Sequence, residues 1–135
     1  MGITGTCSHK DMLLDLQRIM ANPKTNQKRL DWLPKGAKVS ESGDILYFVG
    51  CLPYFDVIFN DIKANSNETA RSVVKIMNKV GIEPVLLKNE RCCGHDLHFT
   101  GDTDNFEKLA KMNVDAIRQA KAKKVVTPVK NVIEP

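Results

Sequence analysis

Apolar residues recur along this chain with two spacings, one typical of helices and the other of buried strands. Helical spacing follows the capping sequence Ser8-His9-Lys10-Asp11 and recurs over residues 67–80, capped by Asn67 and Gly81, and 103–120. A continuous apolar run at 45–49 is typical of a strand buried on both faces, and the segments 84–87 and 124–127 predict two further strands. The pattern therefore predicts a leading helix, then strand, helix, strand, helix and strand.

This order of elements predicts an α/β fold. Right-handed crossovers turn such a β-α-β-α-β core into a three-layer, Rossmann-like parallel sheet with helices on its faces. Residues 22–43 are rich in proline and glycine, and they predict an extended N-terminal connection held by Trp32. We therefore divide the chain into a leading helix with its extended segment, residues 1–43, and an α/β domain, residues 44–135.

Sulfur-bearing residues follow two of the three predicted strands. Cys51 comes after the first strand, Cys92 and Cys93 come after the second, and the loop beyond the third contains Val129 and Val132. Because parallel strands end at the same edge of a sheet, we expect these segments to converge on one site. Cysteine thiolates bind iron-sulfur clusters and zinc, so the site has the chemistry of a metal or cluster pocket.

The spacing of these positions is specific. It reads Cys51-x40-Cys92-Cys93-Gly94-x34-Val129-x2-Val132. This arrangement, with the flanking segments 29–34, 46–53, 100–102 and 124–128, resembles the cysteine-rich CCG domain found in the B-type and D-type subunits of heterodisulfide reductases. The resemblance extends over nearly the whole chain from residue 22 onward.

The resemblance implies a CCG domain of a heterodisulfide-reductase-like oxidoreductase subunit, with a role in iron-sulfur-dependent electron transfer or disulfide reduction. Family members with all five cysteines hold a noncubane 4Fe-4S cluster. Cys51, Cys92 and Cys93 match the first three cysteines, whereas Val129 and Val132 occupy the places of the last two. Valine has no lone pair for a metal, so we expect the chain as written to lack this cluster and to be inactive by itself.

Two other functions remain open. One is a zinc-binding domain that uses Cys51, Cys92, Cys93 and His95, since three cysteines and one histidine form a known tetrahedral zinc set. The other is a cofactor-free scaffold or interaction domain that docks on partner subunits. Cys7 and His9 lie beside the start of the leading helix, and we expect them to be unrelated to the site.

Composition bears on the possible binding partners and the cellular location of the protein. The 135 residues carry a net charge of +4, and the lysines are scattered without interleaved aromatic residues, so we expect no nucleic-acid binding. No stretch reaches the roughly 20 apolar residues of a membrane span, and four cysteines do not form a secreted disulfide framework. We therefore expect a cytoplasmic protein. The resemblance implies partners among the subunits or domains of a heterodisulfide-reductase-like complex, including a ferredoxin-like domain and a second CCG domain.

Overall fold

The fold is that of a computed structural model, which describes residues 8–128, with side chains from residue 11 onward. The elements in chain order are α1 (Ser8–Met20), β1 (Ile45–Tyr47), α2 (Leu52–Ile58), a 3₁₀ turn (Asn60–Ile62), α3 (Ser66–Lys79), α4 (His95–Thr100), α5 (Thr103–Ala120) and β2 (Lys124–Val126). The protein is thus a mixed helix and strand fold. None of the helices in this part of the chain has the length and apolar character needed to span a bilayer.

The described residues form a small parallel sheet of two strands. β1 pairs in parallel with β2, so that Leu46 lies opposite Val125. On the other side of β1, Val85 donates its backbone N–H to the Ile45 carbonyl at 2.8 Å and accepts the Tyr47 N–H at 3.0 Å. β1 therefore lies between the residue 85 segment and β2, and all three run in the same direction.

The predicted three-layer, Rossmann-like sheet is not confirmed. Among the residues that the structure describes, only β1 and β2 form a ladder, and the predicted strand at 84–87 contributes isolated bridges at Val85. Residues 84–87 are all buried. Burial does not by itself produce a hydrogen-bonded ladder with β1. Pro84 has no backbone N–H, so it cannot donate a hydrogen bond to a neighbouring strand.

The periodic segments form helices as predicted, and two short helices are additional. α3 is shifted by one residue from the predicted range 67–80, and α5 coincides with the predicted range 103–120. α1 begins at Ser8, the first residue of the predicted capping sequence. α2 and α4 were not predicted, because seven and six residues are too short to display an apolar period. Both short helices begin directly after a cysteine segment, α2 after Cys51 and α4 after Gly94.

The start of α3 is capped from another helix. The expected cap, Asn67, lies inside the first turn, and Asn65 at the N-cap position makes no side-chain capping bond. Instead, the Asp56 carboxylate of α2 accepts the backbone N–H groups of Ser66 and Asn67, the latter at 3.2 Å. At the other end Gly81 has φ +79°, and Ile82 N–H donates to the Met77 carbonyl at 2.8 Å, as the predicted glycine stop requires.

The extended connection packs against the sheet through Trp32, as predicted. The Trp32 side chain is buried and meets the Tyr47 ring edge-on, with 6.4 Å between the ring centroids. Both belong to a core cluster beneath α3 that also includes Val74 and Leu86. A second cluster surrounds Cys51 and Cys92, so the cysteines lie in the interior of the domain.

We predict that Asp56→Ala lowers the free energy of unfolding by about 1 to 2 kcal/mol, because α3 loses the acceptor for its first two N–H groups. Urea denaturation measures the change. Asp115→Ala is the matched control, since it removes an exposed carboxylate within helix α5 and should change stability little. Equal effects of the two substitutions would show that Asp56 does not cap α3.

Candidate cysteine site

Cys51 and Cys92 meet in the structure. They are 41 positions apart, their Cα atoms are 5.4 Å apart, and their sulfurs are joined in a disulfide. Cys51 follows the segment that continues β1, and Cys92 follows the segment that pairs with β1 through Val85. The two side chains are nearly inaccessible, with exposed fractions of 8% and 1%. Two of the three predicted thiols thus form one buried pair.

Cys93 remains a free thiol beside this pair and is half-buried. Burial raises the pKa of Cys93, and the Asp96 carboxylate adds to the increase, while a hydrogen bond from the His95 backbone N–H opposes it. A raised pKa means that little of the nucleophilic thiolate form is present near neutral pH. Cys93 is therefore the accessible but weakly ionised thiol of the site.

Gly94 makes the corner between Cys93 and α4. Its φ is +81°, a conformation that side chains rarely adopt. A Cβ atom here would also lie 3.0 Å from Cδ2 of Phe106 and 3.3 Å from Cδ1 of Leu109. Both the backbone conformation and the close approach of α5 therefore require glycine after the cysteine pair.

The His95 ring lies at the start of α4. Its Nδ1 atom is 3.6 Å from Oδ1 of Asp96, and its ring centroid is 4.5 Å from that of Phe99. Among the side chains of residues 11–128, no three His, Cys, Asp or Glu groups are placed so as to hold a metal ion. The zinc set of Cys51, Cys92, Cys93 and His95 thus stays a prediction.

Several predicted positions lie outside the described residues. They are Cys7, Val129 and Val132, together with the side chain of His9. β2, which leads toward the valines, ends beside β1, where Phe48 N–H donates to the Val126 carbonyl at 2.8 Å. The convergence of the valine loop on the cysteines therefore remains an expectation.

A buried ion pair next to the cysteines was not predicted. The Arg29 guanidinium donates through Nη2 to Oε1 of Glu90 and to the Gly50 carbonyl, and the two charged side chains are each 2% exposed. Glu90 also accepts the backbone N–H groups of Val49 at 3.2 Å and Gly50 at 2.8 Å. This pair fixes the backbone immediately before Cys51 to a residue two positions before Cys92.

The electrostatics of Glu90 reflect two opposed effects. Burial raises the pKa of Glu90, whereas the Arg29 guanidinium and the N–H groups of Val49 and Gly50 stabilise its charged form. These three partners offset the desolvation cost of burying the Glu90 carboxylate. The sequence around Glu90 did not indicate that its partner is Arg29, 61 positions earlier.

Cys92 is also held from the side of α5. The Asn113 side chain, buried in α5, donates to the Cys92 carbonyl at 3.0 Å and accepts the Arg91 backbone N–H at 2.8 Å. An amide that uses both its donor and its acceptor fixes the orientation of the segment it binds. Glu90 and Asn113 thus hold the chain on both sides of Arg91.

Comparison with known families decides the identity of this arrangement. The family model of the cysteine-rich CCG domain matches residues 45–131, which include all three cysteines of the site. The chain belongs to the CCG cysteine-rich domain family. As a CCG domain, it carries its Cys-Cys-Gly element at Cys92, Cys93 and Gly94, where the structure places the disulfide, the free thiol and the corner.

This CCG domain matches parts of larger curated proteins. It is 34% identical over 107 residues to the D subunit of the dihydromethanophenazine:CoB--CoM heterodisulfide reductase of Methanosarcina barkeri, covering 76% of this chain and 24% of that protein. It is 32% identical over 76 residues to the C subunit of the anaerobic glycerol-3-phosphate dehydrogenase of Escherichia coli K12, covering 56% and 17%. An uncharacterized iron-sulfur protein of Methanococcus maripaludis is 30% identical over 88 residues, covering 65% and 16%.

The chain spans about a quarter or less of the length of these relatives. No solved structure gave a significant match. The comparisons therefore establish that the chain belongs to the CCG family.

The donor set of this CCG domain does not fit a cluster held by five cysteines. Cys51 and Cys92 are bonded to each other, Cys93 is a single free thiol, and valines stand at positions 129 and 132. Aliphatic side chains offer no electron pair to iron. Even after reduction of the disulfide, the site would offer three thiols, those of Cys51, Cys92 and Cys93.

We predict that Glu90→Gln lowers the free energy of unfolding by about 3 to 5 kcal/mol, because the amide leaves the buried Arg29 charge unneutralised. Thermal and urea denaturation measure the loss. Glu41→Gln is the matched control, since it removes the carboxylate of an exposed pair with Lys88 and should leave stability unchanged. A loss as small as that of the control would contradict a structural role for the buried pair.

We further predict that alkylation of Cys93 by iodoacetamide accelerates with pH beyond the range of an ordinary thiol, whose pKa is about 8.5. Asp96→Asn removes a charge that raises the pKa of Cys93, so its rate profile should move to lower pH. Mass spectrometry of the modified peptide follows the reaction, and Cys93→Ser shows that the signal belongs to this thiol. A profile unaffected by Asp96→Asn would contradict the assigned influence of that carboxylate.

Proposed function

We propose that this CCG domain is a redox domain of a heterodisulfide-reductase-like oxidoreductase subunit. Its role would be iron-sulfur-dependent electron transfer or disulfide reduction, and Cys51, Cys92 and Cys93 would be its reacting or ligating groups. The observation that carries the proposal is the meeting of Cys51 and Cys92 from separate segments, with Cα atoms 5.4 Å apart. Cys93 follows directly in the chain, so three thiols belong to one site.

The chemistry available to these residues is thiol and disulfide exchange. Reduction of the Cys51–Cys92 bond takes up two electrons and two protons and gives two thiols, while an external dithiol is oxidised to its disulfide. Intracellular disulfides are mostly transient and catalytic or redox-sensing. A cytoplasmic location, which we also propose, is therefore compatible with the bond.

The relatives support assembly with other polypeptides. Both the heterodisulfide reductase and the glycerol-3-phosphate dehydrogenase relatives are named as subunits. We propose that this domain likewise acts beside other subunits or domains, which would supply or accept its electrons. The domain boundary at residues 43 and 44 is part of the same proposal, and the family match begins at residue 45.

An iron-sulfur cluster would require changes in this chain. We propose that the noncubane type characteristic of complete family members needs thiols at positions 129 and 132, which carry valine here. Zinc is the second candidate, because Cys51, Cys92, Cys93 and His95 supply a tetrahedral donor set once the disulfide is reduced. Metal analysis after anaerobic reduction separates zinc from iron and from a cofactor-free domain.

We predict that Val129→Cys combined with Val132→Cys confers iron and sulfide binding on the reduced protein, because it completes the five-thiolate set. Each substitution changes side-chain volume little and should cost about 1 kcal/mol of stability. Anaerobic reconstitution with iron and sulfide, followed by chemical analysis and absorbance spectroscopy, measures the gain. The unsubstituted chain should bind no stoichiometric cluster.

Two further substitutions make this test specific. Cys93→Ser in the double variant should abolish the cluster, whereas Cys7→Ser should leave it intact because Cys7 is not in the motif. A folded double variant that takes up no iron would contradict the assignment of the valine positions. It would favour the cofactor-free scaffold.

A further inference from the structure

Helix α1 covers the cysteine pair. Leu14, Met20 and Ala21 pack in the same buried cluster as Cys51 and Cys92. The Met20 sulfur accepts the backbone N–H of Cys92 at 3.3 Å, so the end of α1 lies directly on this cysteine. Cys92 is 1% exposed, and α1 is one of the elements that bury it, together with Leu97 of α4 and Leu109 of α5.

Among the side chains that the structure describes, Gln17 and Arg18 make the polar contacts from the middle of α1 to α4 and to the start of α5. Gln17, 1% exposed, donates to Oδ2 of Asp96 at 2.5 Å and accepts the Leu97 backbone N–H at 3.3 Å. Arg18 donates through Nε to Oδ2 of Asp102 at 2.9 Å, but this pair is partly exposed to solvent. The buried amide of Gln17 is therefore the main polar connection between the middle of α1 and the site.

The end of α1 is held more firmly than its middle. The Arg91 side chain, 7% exposed, donates to the Met20 carbonyl and the Pro23 carbonyl, each at 3.3 Å. A cation at the last carbonyls of a helix stabilises that end. Exposure of Cys92 therefore requires the Met20 end of α1 to separate together with Gln17, because Met20 is in contact with Cys92.

The remaining face of α1 is free within the described part of the chain. Met12 and Ile19 are 49% and 58% exposed. The helix also precedes residues 45–131, the range that the CCG family model matches. An element that is attached to the site by one face and a few hydrogen bonds can open without unfolding the sheet.

We propose that α1 is a cover whose opening controls the access of reductants, thiols and metal ions to Cys51 and Cys92. Gln17 acts as the positioning residue that keeps the cover closed. The inference concerns access to the sulfurs, and it holds for each of the functions proposed above.

The test compares Gln17→Glu with Ile19→Glu. The first places a carboxylate of nearly the same shape against the Asp96 carboxylate, whereas the second adds the same charge on the exposed face of α1. We expect Gln17→Glu to raise the rate constant for reduction of the Cys51–Cys92 bond by dithiothreitol about tenfold, the effect of losing one buried hydrogen-bonded contact. Ile19→Glu should leave the rate unchanged. Equal rates in the two variants and the unsubstituted chain would overturn the proposal.

Hydrogen exchange on the unsubstituted chain provides a test that does not depend on a variant. The amides of Cys92 and Leu97 donate to α1, whereas those of Tyr47 and Phe48 donate within the sheet. We expect the first two to exchange through a partial opening with a smaller dependence on urea than the sheet amides. If all four amides share one exchange free energy and one urea dependence, the domain opens only by unfolding, and the proposal is wrong.

Discussion

The buried ion pair between Arg29 and Glu90 joins the parts of the fold that make the cysteine site. Glu90 binds the N–H groups of Val49 and Gly50, and Arg29 binds both Glu90 and the Gly50 carbonyl. The contact lies one residue before Cys51 and two residues before Cys92. Two segments about 40 positions apart are thus held so that their sulfurs meet, and the extended connection that carries Arg29 becomes part of the site.

Around this pair the domain presents its three thiols in different environments. Cys51 and Cys92 are buried beneath α1, and Cys93 lies at a glycine corner in front of α4. Burial protects the paired sulfurs and raises the pKa of the free thiol. The chain therefore combines a protected pair with a half-buried neighbour, an arrangement in which access to the sulfurs governs reactivity. This arrangement supports the proposed redox role of the three cysteines.

Local sequence patterns predicted the long helices and the burial of residues 46–49, because periodicity and apolar content report on which face a residue turns inward. They also predicted a strand at β2, but all three of its residues are exposed. They did not predict hydrogen-bond partners. The run at 84–87 is buried, yet its ladder is reduced to Val85, and Asp56 caps α3 from another helix. The pairing of Glu90 with Arg29 was likewise not predicted, because nothing in the sequence around Glu90 identifies Arg29 as its partner. The parallel direction of the two segments was enough to predict that Cys51 and Cys92 lie close together. The bond between them could not be predicted, because the spacing of the cysteines in the sequence does not give the distance between their sulfurs.

The most direct test of the account is the pairing of the sulfurs in the purified protein. Free thiols are alkylated without reduction, the chain is digested, and the peptides are identified by mass spectrometry before and after reduction. The account predicts a reducible peptide pair that links Cys51 to Cys92, with Cys93 alkylated as a free thiol. A link between Cys93 and either of the other two, with Cys51 or Cys92 left free, would contradict it.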